Sequence, residues 1–180
     1  MILYFDTETT GLHPGQICQL SYILQSQESV KCKNFFFSVD YVDPSAMMVH
    51  GFSKQKLFEL SNGKKFEHFF DEINADFISA DAVVAHNTAF DFSFMRAEFE
   101  RMNEIFKVNN EFCSMKNTTA LCCLMRSSGR GYKYPKLSEL CNFLGVSEVD
   151  IQKATNEFYG QNIAFHDARF DSTAVYLAMN

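Results

Sequence analysis

Ile2-Leu3-Tyr4-Phe5-Asp6-Thr7-Glu8-Thr9-Thr10-Gly11-Leu12 follows Met1 directly. Residues 2–5 form an unbroken apolar run, the pattern of a central strand covered on both faces. Asp6 and Glu8 are expected to end that strand. Side chains two apart on an extended segment point the same way, so both carboxylates project together from its carboxyl end. Two like charges side by side are unfavourable unless something positive sits between them, which is the setting a hard divalent cation requires.

Outward from this run, strands are predicted at residues 2–6, 17–25 and 30–39, with Gln27-Glu28-Ser29 as the hairpin turn. Helices are predicted at 54–60 and 65–78, the latter carrying Phe66, Phe69, Phe70, Ile73 and Phe77 at helical spacing. Ala82-Val83-Val84-Ala85 reads as a short buried strand leading into a helix over 88–106. Further helices are expected at 118–126, 137–144 and 167–179, with a loop at 127–136. A meander followed by strand and helices points to an α/β layer fold with a mixed sheet, whose ligand sites lie at the carboxyl ends of central strands.

The chain's 180 residues are read as one domain, 1–180, large enough to bury a core without disulfides. Hydrophobic residues make up 47% and charged residues 21%, with 20 Phe and no Trp, so the composition is globular with an aromatic interior. The six cysteines form no C-x-x-C pair and read as reduced core thiols, not as a zinc site. No basic start precedes an apolar segment, and nowhere do about 18 apolar residues run together, so neither signal peptide nor membrane span is expected. A cytoplasmic protein follows.

Three later blocks complete the first: Val49-His50-Gly51-Phe52-Ser53, Ala85-His86-Asn87-Thr88-Ala89-Phe90-Asp91 and His166-Asp167-Ala168-Arg169-Phe170-Asp171. The ordered pattern D-x-E, H-G-[IF]-[ST], H-N-x-x-F-D and H-x-x-x-x-D resembles that of the DEDDh-type 3′-5′ exonucleases, the DnaQ-like family. The resemblance covers nearly the whole chain. It implies an RNase H-like three-layer fold, a mixed five-stranded sheet flanked by helices, and hydrolysis of single-stranded DNA or RNA ends to 5′-mononucleotides.

By that resemblance Asp6, Glu8 and Asp171 would hold a first metal, with Asp6 bridging to a second that Asp91 reaches directly or through water. Two Mg²⁺ are the expected cofactors, with Mn²⁺ substituting. Magnesium takes only one or two carboxylates per ion, so a four-carboxylate cluster suits a pair of ions. His166 would be the general base. His166 and Asp171 are five apart, about 140° on a helix, so His166 is expected on the loop before the helix and Asp171 in its second turn. Thr9, Leu12, His50, Asn87 and Phe90 would meet the terminal nucleotide, with Leu12 or Phe90 wedging against its base. Many proofreading relatives carry a glutamate where this chain has Ser45.

Each residue also has a plainer reading. Thr88-Ala89-Phe90-Asp91 fits a helix capping box, Phe90 fits plain core, and Asp167 fits an acid at a helix start. The formal charge of −6 disfavours tight duplex binding. Two bound divalent cations would cancel the charge of the four acids, which leaves room for gripping one strand end. Arg126, Arg130, Lys133 and Lys136, interleaved with Tyr132 and Tyr134, form the best basic-aromatic stretch for tracking a strand.

The expected partner is a single-stranded nucleic-acid 3′ end, with no membrane. A proofreading exonuclease acting with a DNA polymerase is the alternative. Because the chain stops shortly after Asp171, a stand-alone enzyme is expected. A non-catalytic nucleic-acid-binding module is the rival from another class, disfavoured because all five chemistry-bearing residues are present.

Overall fold

The structure, a computed structural model, describes residues 1–160, 163 and 166–180. In chain order its elements are β1 (Ile2–Thr9), β2 (Ile17–Gln25), β3 (Val30–Phe36), α1 (Pro44–His50), α2 (Lys54–Ser61), a 3-10 turn (Phe66–Phe69), α3 (Phe70–Ser79), β4 (Ala82–Ala85), α4 (Thr88–Arg101), β5 (Glu111–Cys113), α5 (Ser114–Asn117), α6 (Thr119–Cys122), α7 (Leu137–Phe143), α8 (Glu148–Tyr159) and α9 (Ala168–Met179). The five strands form one sheet in the order β3-β2-β1-β4-β5. β1 pairs antiparallel with β2 and parallel with β4, so the sheet is mixed.

The alternation of β1 sorts the two helical layers. Leu3 and Phe5, with Tyr22 and Leu24 opposite them, face a layer built from α3 and α4 that includes Phe77, Phe92, Met95 and Phe99. Phe5 meets Phe77 edge-on at 5.3 Å and stacks near Phe92 at 5.9 Å; aromatic pairs of this kind add about 0.5–1.5 kcal/mol beyond area burial. Tyr4 and Ile23 face the other way, against Val175 and Tyr176 of α9. Asp6 and Glu8 share the parity of Tyr4, so they lie on the α9 face, and Thr7 between them lies on the α4 face.

Several boundaries depart from expectation. Asp6 and Glu8 do not end β1, which runs on to Thr9 because Asp6 pairs with Ser21 and Glu8 with Gln19 before the register shifts at Glu8/Thr9. β3 stops at Phe36 instead of residue 39. The helix expected over 88–106 ends at Arg101, where Asn103 turns left-handed (φ 58°) and the Phe99 carbonyl accepts from Met102 and Glu104. The helix expected over 118–126 stops at Cys122, since Cys123 is left-handed (φ 52°). None of α1, α5, α8 or β5 was expected, and the helix expected over 65–78 begins as the 3-10 turn before α3. α1 and α8 carry legible caps, Asp43 with Pro44 at the first turn of α1 and the Ser147/Asp150 capping box of α8. Gly51 (φ 74°) ends α1 through its N–H to the Met47 carbonyl, a conformation glycine adopts without strain.

The cysteines are all free thiols as expected, but only Cys18, Cys113, Cys122 and Cys141 lie in the interior; Cys32 is half-buried, and Cys123 is exposed at the left-handed turn that ends α6. Among the described residues no helix is long and apolar enough to cross a membrane.

Candidate active site

Period two on β1 and the start of α9 bring three acids together. Asp6 and Glu8 look toward α9, and Asp171, the fourth residue of that helix, looks back. It therefore closes the first turn, not the second as expected, because the helix begins one residue later. Each of the three offers a carboxylate oxygen, and these oxygens lie within 4.8 Å of one another. Burial holds the Asp6 carboxyl well above the usual carboxylate range, and the charges of Asp171, Asp91 and Glu8 push the same way. Burial, then Asp171 and Asp167, raise Glu8 to about 9. Burial, then Asp167, raise Asp171 to about 7.

Asp91 stands slightly apart. It is buried in the first turn of α4, where the Thr7 hydroxyl donates to its Oδ1 at 2.7 Å. Burial raises it to about 7, and the Thr7 hydrogen bond offsets part of that rise. The capping-box alternative is not realised: the N-cap of α4 is Asn87 in the left-handed region (φ 73°), with no side-chain cap. Asp91 is spent on Thr7 instead.

The other buried acids nearby are paired. Asp167 caps α9, accepts from the Arg169 N–H, and receives the Arg169 guanidinium on both oxygens at 2.8 and 2.7 Å. Its plainer reading holds. Glu98 accepts from Ile17 N–H and pairs with Arg101. By contrast, among the described residues no lysine or arginine pairs with Asp6, Glu8, Asp91 or Asp171. Mutually repelling, partly buried carboxylates without a cationic side chain fit hard divalent cations, which take oxygen ligands.

His166 lies on the loop before α9, exposed and left-handed (φ 60°), as its spacing from Asp171 led one to expect. It lines a cleft of about 470 Å³ with Asp6, Asp171, His86, Lys136, Leu137 and Ser138.

The residues expected to meet the terminal nucleotide divide. Leu12 is 78% exposed just beyond β1. Phe90 is half-buried against the core, its ring 5.0 Å from Phe94, which favours the plain-core reading. His50 is buried: its Nδ1 accepts from Phe52 N–H, and its Nε2 lies 3.3 Å from the Thr9 carbonyl. It pins the end of β1 and does not line the cleft. Thr9 is itself buried, its hydroxyl donating to the Gly11 carbonyl. Ser45 donates from both its N–H and its hydroxyl to Asp43 Oδ1, so it belongs to the cap of α1.

Sequence reasoning missed three supports. Gln19, fully buried opposite Glu8, donates to Asp167 Oδ1 and accepts from Ala168 N–H, fixing the start of α9 to β2. A glutamine inside an apolar strand was the available signal. His86 spans Ser114 Oγ and the Pro135 carbonyl, each at 3.0 Å. Thr7, between the two acids of β1, is the third, through its hydrogen bond to Asp91.

A mixed five-stranded sheet in this order, flanked by helices, is the RNase H-like fold. The chain belongs to the RNase_T exonuclease family, which matches residues 3–172, and is a DnaQ-like 3′-5′ exonuclease. That family implies divalent-metal dependence. The chain is 28% identical over 190 aligned residues to DNA polymerase III subunit epsilon of Escherichia coli (strain K12), covering 98% of this chain and 70% of that protein. It is 28% identical over 148 residues to the same subunit of Rickettsia conorii, covering 77% of this chain and 60% of that one. The fold resembles that in the metal-free crystal structure of an E. coli ExoI–ssDNA complex, with a TM-score of 0.65 and 21% identity over 82% of this chain and 36% of that one.

Proposed function

We propose that residues 1–180 form a single exonuclease domain that removes 5′-mononucleotides from the 3′ end of single-stranded DNA or RNA by a two-metal mechanism. The observation carrying this reading is the trio of partly buried carboxylates whose oxygens lie within 4.8 Å of one another. Asp6, Glu8 and Asp171 would hold one Mg²⁺ or Mn²⁺, and Asp6 with Asp91 would serve the second. When bound, the pair supplies Lewis acidity to the attacking water and neutralises charge on the departing oxygen.

The chain's own residues do the rest. His166, at the cleft beside Asp6 and Asp171, accepts the proton of the attacking water. Thr7 holds the Asp91 carboxylate in one orientation, and Gln19 fixes the helix start that carries His166 and Asp171. Leu12, exposed past the end of β1, meets the terminal base with Asn87, while Thr9, His50 and Phe90 support the site from the packed interior.

Digestion of matched 5′-labelled single-stranded DNA and RNA with Mg²⁺, beside Glu8→Ala, tests this. A ladder shortening from the 3′ end and lost in the variant is expected; an identical ladder from the variant would sink the reading. The names of the relatives favour a second reading, in which the domain acts bound to a DNA polymerase. Stoichiometric co-purification with a polymerase would support it, and recovery without one would favour a stand-alone enzyme.

A further inference from the structure

The segment beyond α6 folds into an arm that grows out of the cleft wall. Met125 bridges Tyr132 antiparallel, Lys133 N–H donates to the Leu124 carbonyl at 2.7 Å, and Arg126 N–H donates to Gly131 O at 3.1 Å. Gly129 and Gly131, both at positive φ, make the tip. The returning strand is rooted at Pro135, whose carbonyl is held by His86 Nε2, and passes directly into Lys136, Leu137 and Ser138 of the cleft. From Lys136 to the tip the arm reaches at most about 25 Å, the extended length of its backbone.

Its charge is opposite to that of the chain. The whole protein carries 22 acids and a net charge of −6. From residue 112 to residue 138 there is no Asp or Glu, while Lys116, Arg126, Arg130, Lys133 and Lys136 all fall there. Lys133 is paired with Glu139. Among the described residues, Arg126 and Arg130 form no ion pair with an acid, the Arg126 Nε donating instead to the Tyr132 carbonyl at 2.9 Å, while Lys136 shares the field of Glu139 with Lys133. Between these cations Met125, Tyr132 and Tyr134 are exposed.

Unpaired cations separated by exposed rings match a phosphate backbone with unstacked bases. An acidic peptide would meet the cations but leave the rings unused, and would have no reason to run on into a carboxylate-lined cleft. We propose that the 124–135 arm is a clamp for the body of a single-stranded nucleic acid whose end occupies the acid cluster. Arg126 and Arg130 take phosphates, and Tyr132 and Tyr134 stack on bases. The inference rests on the exonuclease reading and deepens it: the clamp would set affinity for long strands without touching the reacting phosphate.

The test uses the full chain with Arg130→Glu, Tyr134→Ala and the control Tyr134→Phe. Anisotropy of labelled oligothymidylate and oligouridylate 12-mers in EDTA reads the arm, and hydrolysis of the p-nitrophenyl ester of thymidine 5′-monophosphate with Mn²⁺ reads the acid cluster alone. Arg130→Glu should weaken 12-mer binding about tenfold or more and flatten the log-log salt slope by about 0.7 per lost phosphate contact. Tyr134→Ala should lose about tenfold, and Tyr134→Phe should retain affinity. Ester hydrolysis should be unchanged in all three. Loss on both 12-mers, or on one of them, supports the clamp, and the second case also names the preferred sugar. No 12-mer binding by the wild type, or unchanged affinity and salt slope in the variants, would overturn it. Absence of ester hydrolysis from every protein, with the anisotropy losses intact, would instead count against the exonuclease reading.

Discussion

The Thr7 hydroxyl donates to Asp91 Oδ1 at 2.7 Å across 84 residues of sequence, and Thr7 stands between Asp6 and Glu8 on β1. One strand therefore presents two acids to one face and the support of a third to the other. Thr7→Val removes that donor at nearly constant shape. Hydrogen bonds to charged groups contribute about 1.5–3 kcal/mol, so kcat at saturating Mg²⁺ should fall about tenfold or more. Thr7→Ser should restore most of it. Full activity in Thr7→Val would show that Asp91 needs no such anchor.

Glu8 is raised to about 9, and Asp91 and Asp171 to about 7. An acid whose folded pKa lies above its unfolded value of about 4 binds its proton more tightly when folded. The folded state then holds more protons than the unfolded chain across that interval, and stability falls as pH rises. Metal-free protein should lose melting temperature between pH 4 and pH 9. Mg²⁺ or Mn²⁺ should restore it at pH 8 and matter less at pH 5. A metal-free melting temperature that is flat over this range would count against a repelling carboxylate cluster.

Asp171 and Asp167 lie one helical turn apart and should respond oppositely. Asp171→Asn relieves repulsion, so metal-free protein should melt higher at pH 8 while hydrolysis falls more than about a hundredfold, since several kcal/mol of transition-state stabilisation passes through the ions. Asp167→Ala deletes the α9 cap, the Arg169 ion pair and the Gln19 hydrogen bond. A stability loss of about 1–3 kcal/mol is expected. Denaturant titration of the two variants, beside their rates, checks the contrast; equal melting shifts of the same sign would refute it.

His166→Ala should reduce kcat by about 10²–10⁴-fold, the usual contribution of a positioned general base, with little change in KM. Steady-state kinetics with Mg²⁺ measure this, and a variant within a factor of two of wild type would remove His166 from the mechanism.

Much of the site could be read before any folding was known, where the signal was local. Asp6 and Glu8 share a face because a strand has period two, and the distance from His166 to Asp171 already separated a loop residue from a helix residue. The caps at Asp43 and Ser147 were equally local and went unread. Phe90 and Asp91 could not be decided in this way, since each had a plausible core or capping role one turn of helix away.

By itself, then, the sequence placed Asp6 and Glu8 on one strand face and His166 ahead of the helix that carries Asp171, because side-chain periodicity is a property of short segments, while the chemistry expected of them came from the resemblance of the ordered blocks to a known family. Only the tertiary structure decided which acids face each other and which are paired elsewhere. Asp91 turns to Thr7, Asp167 to Arg169 and Gln19, while Asp6, Glu8 and Asp171 are left to one another. Those choices depend on contacts across 84 and 148 residues of chain, which packing of α4 and α9 on opposite faces of one sheet creates and no local pattern encodes.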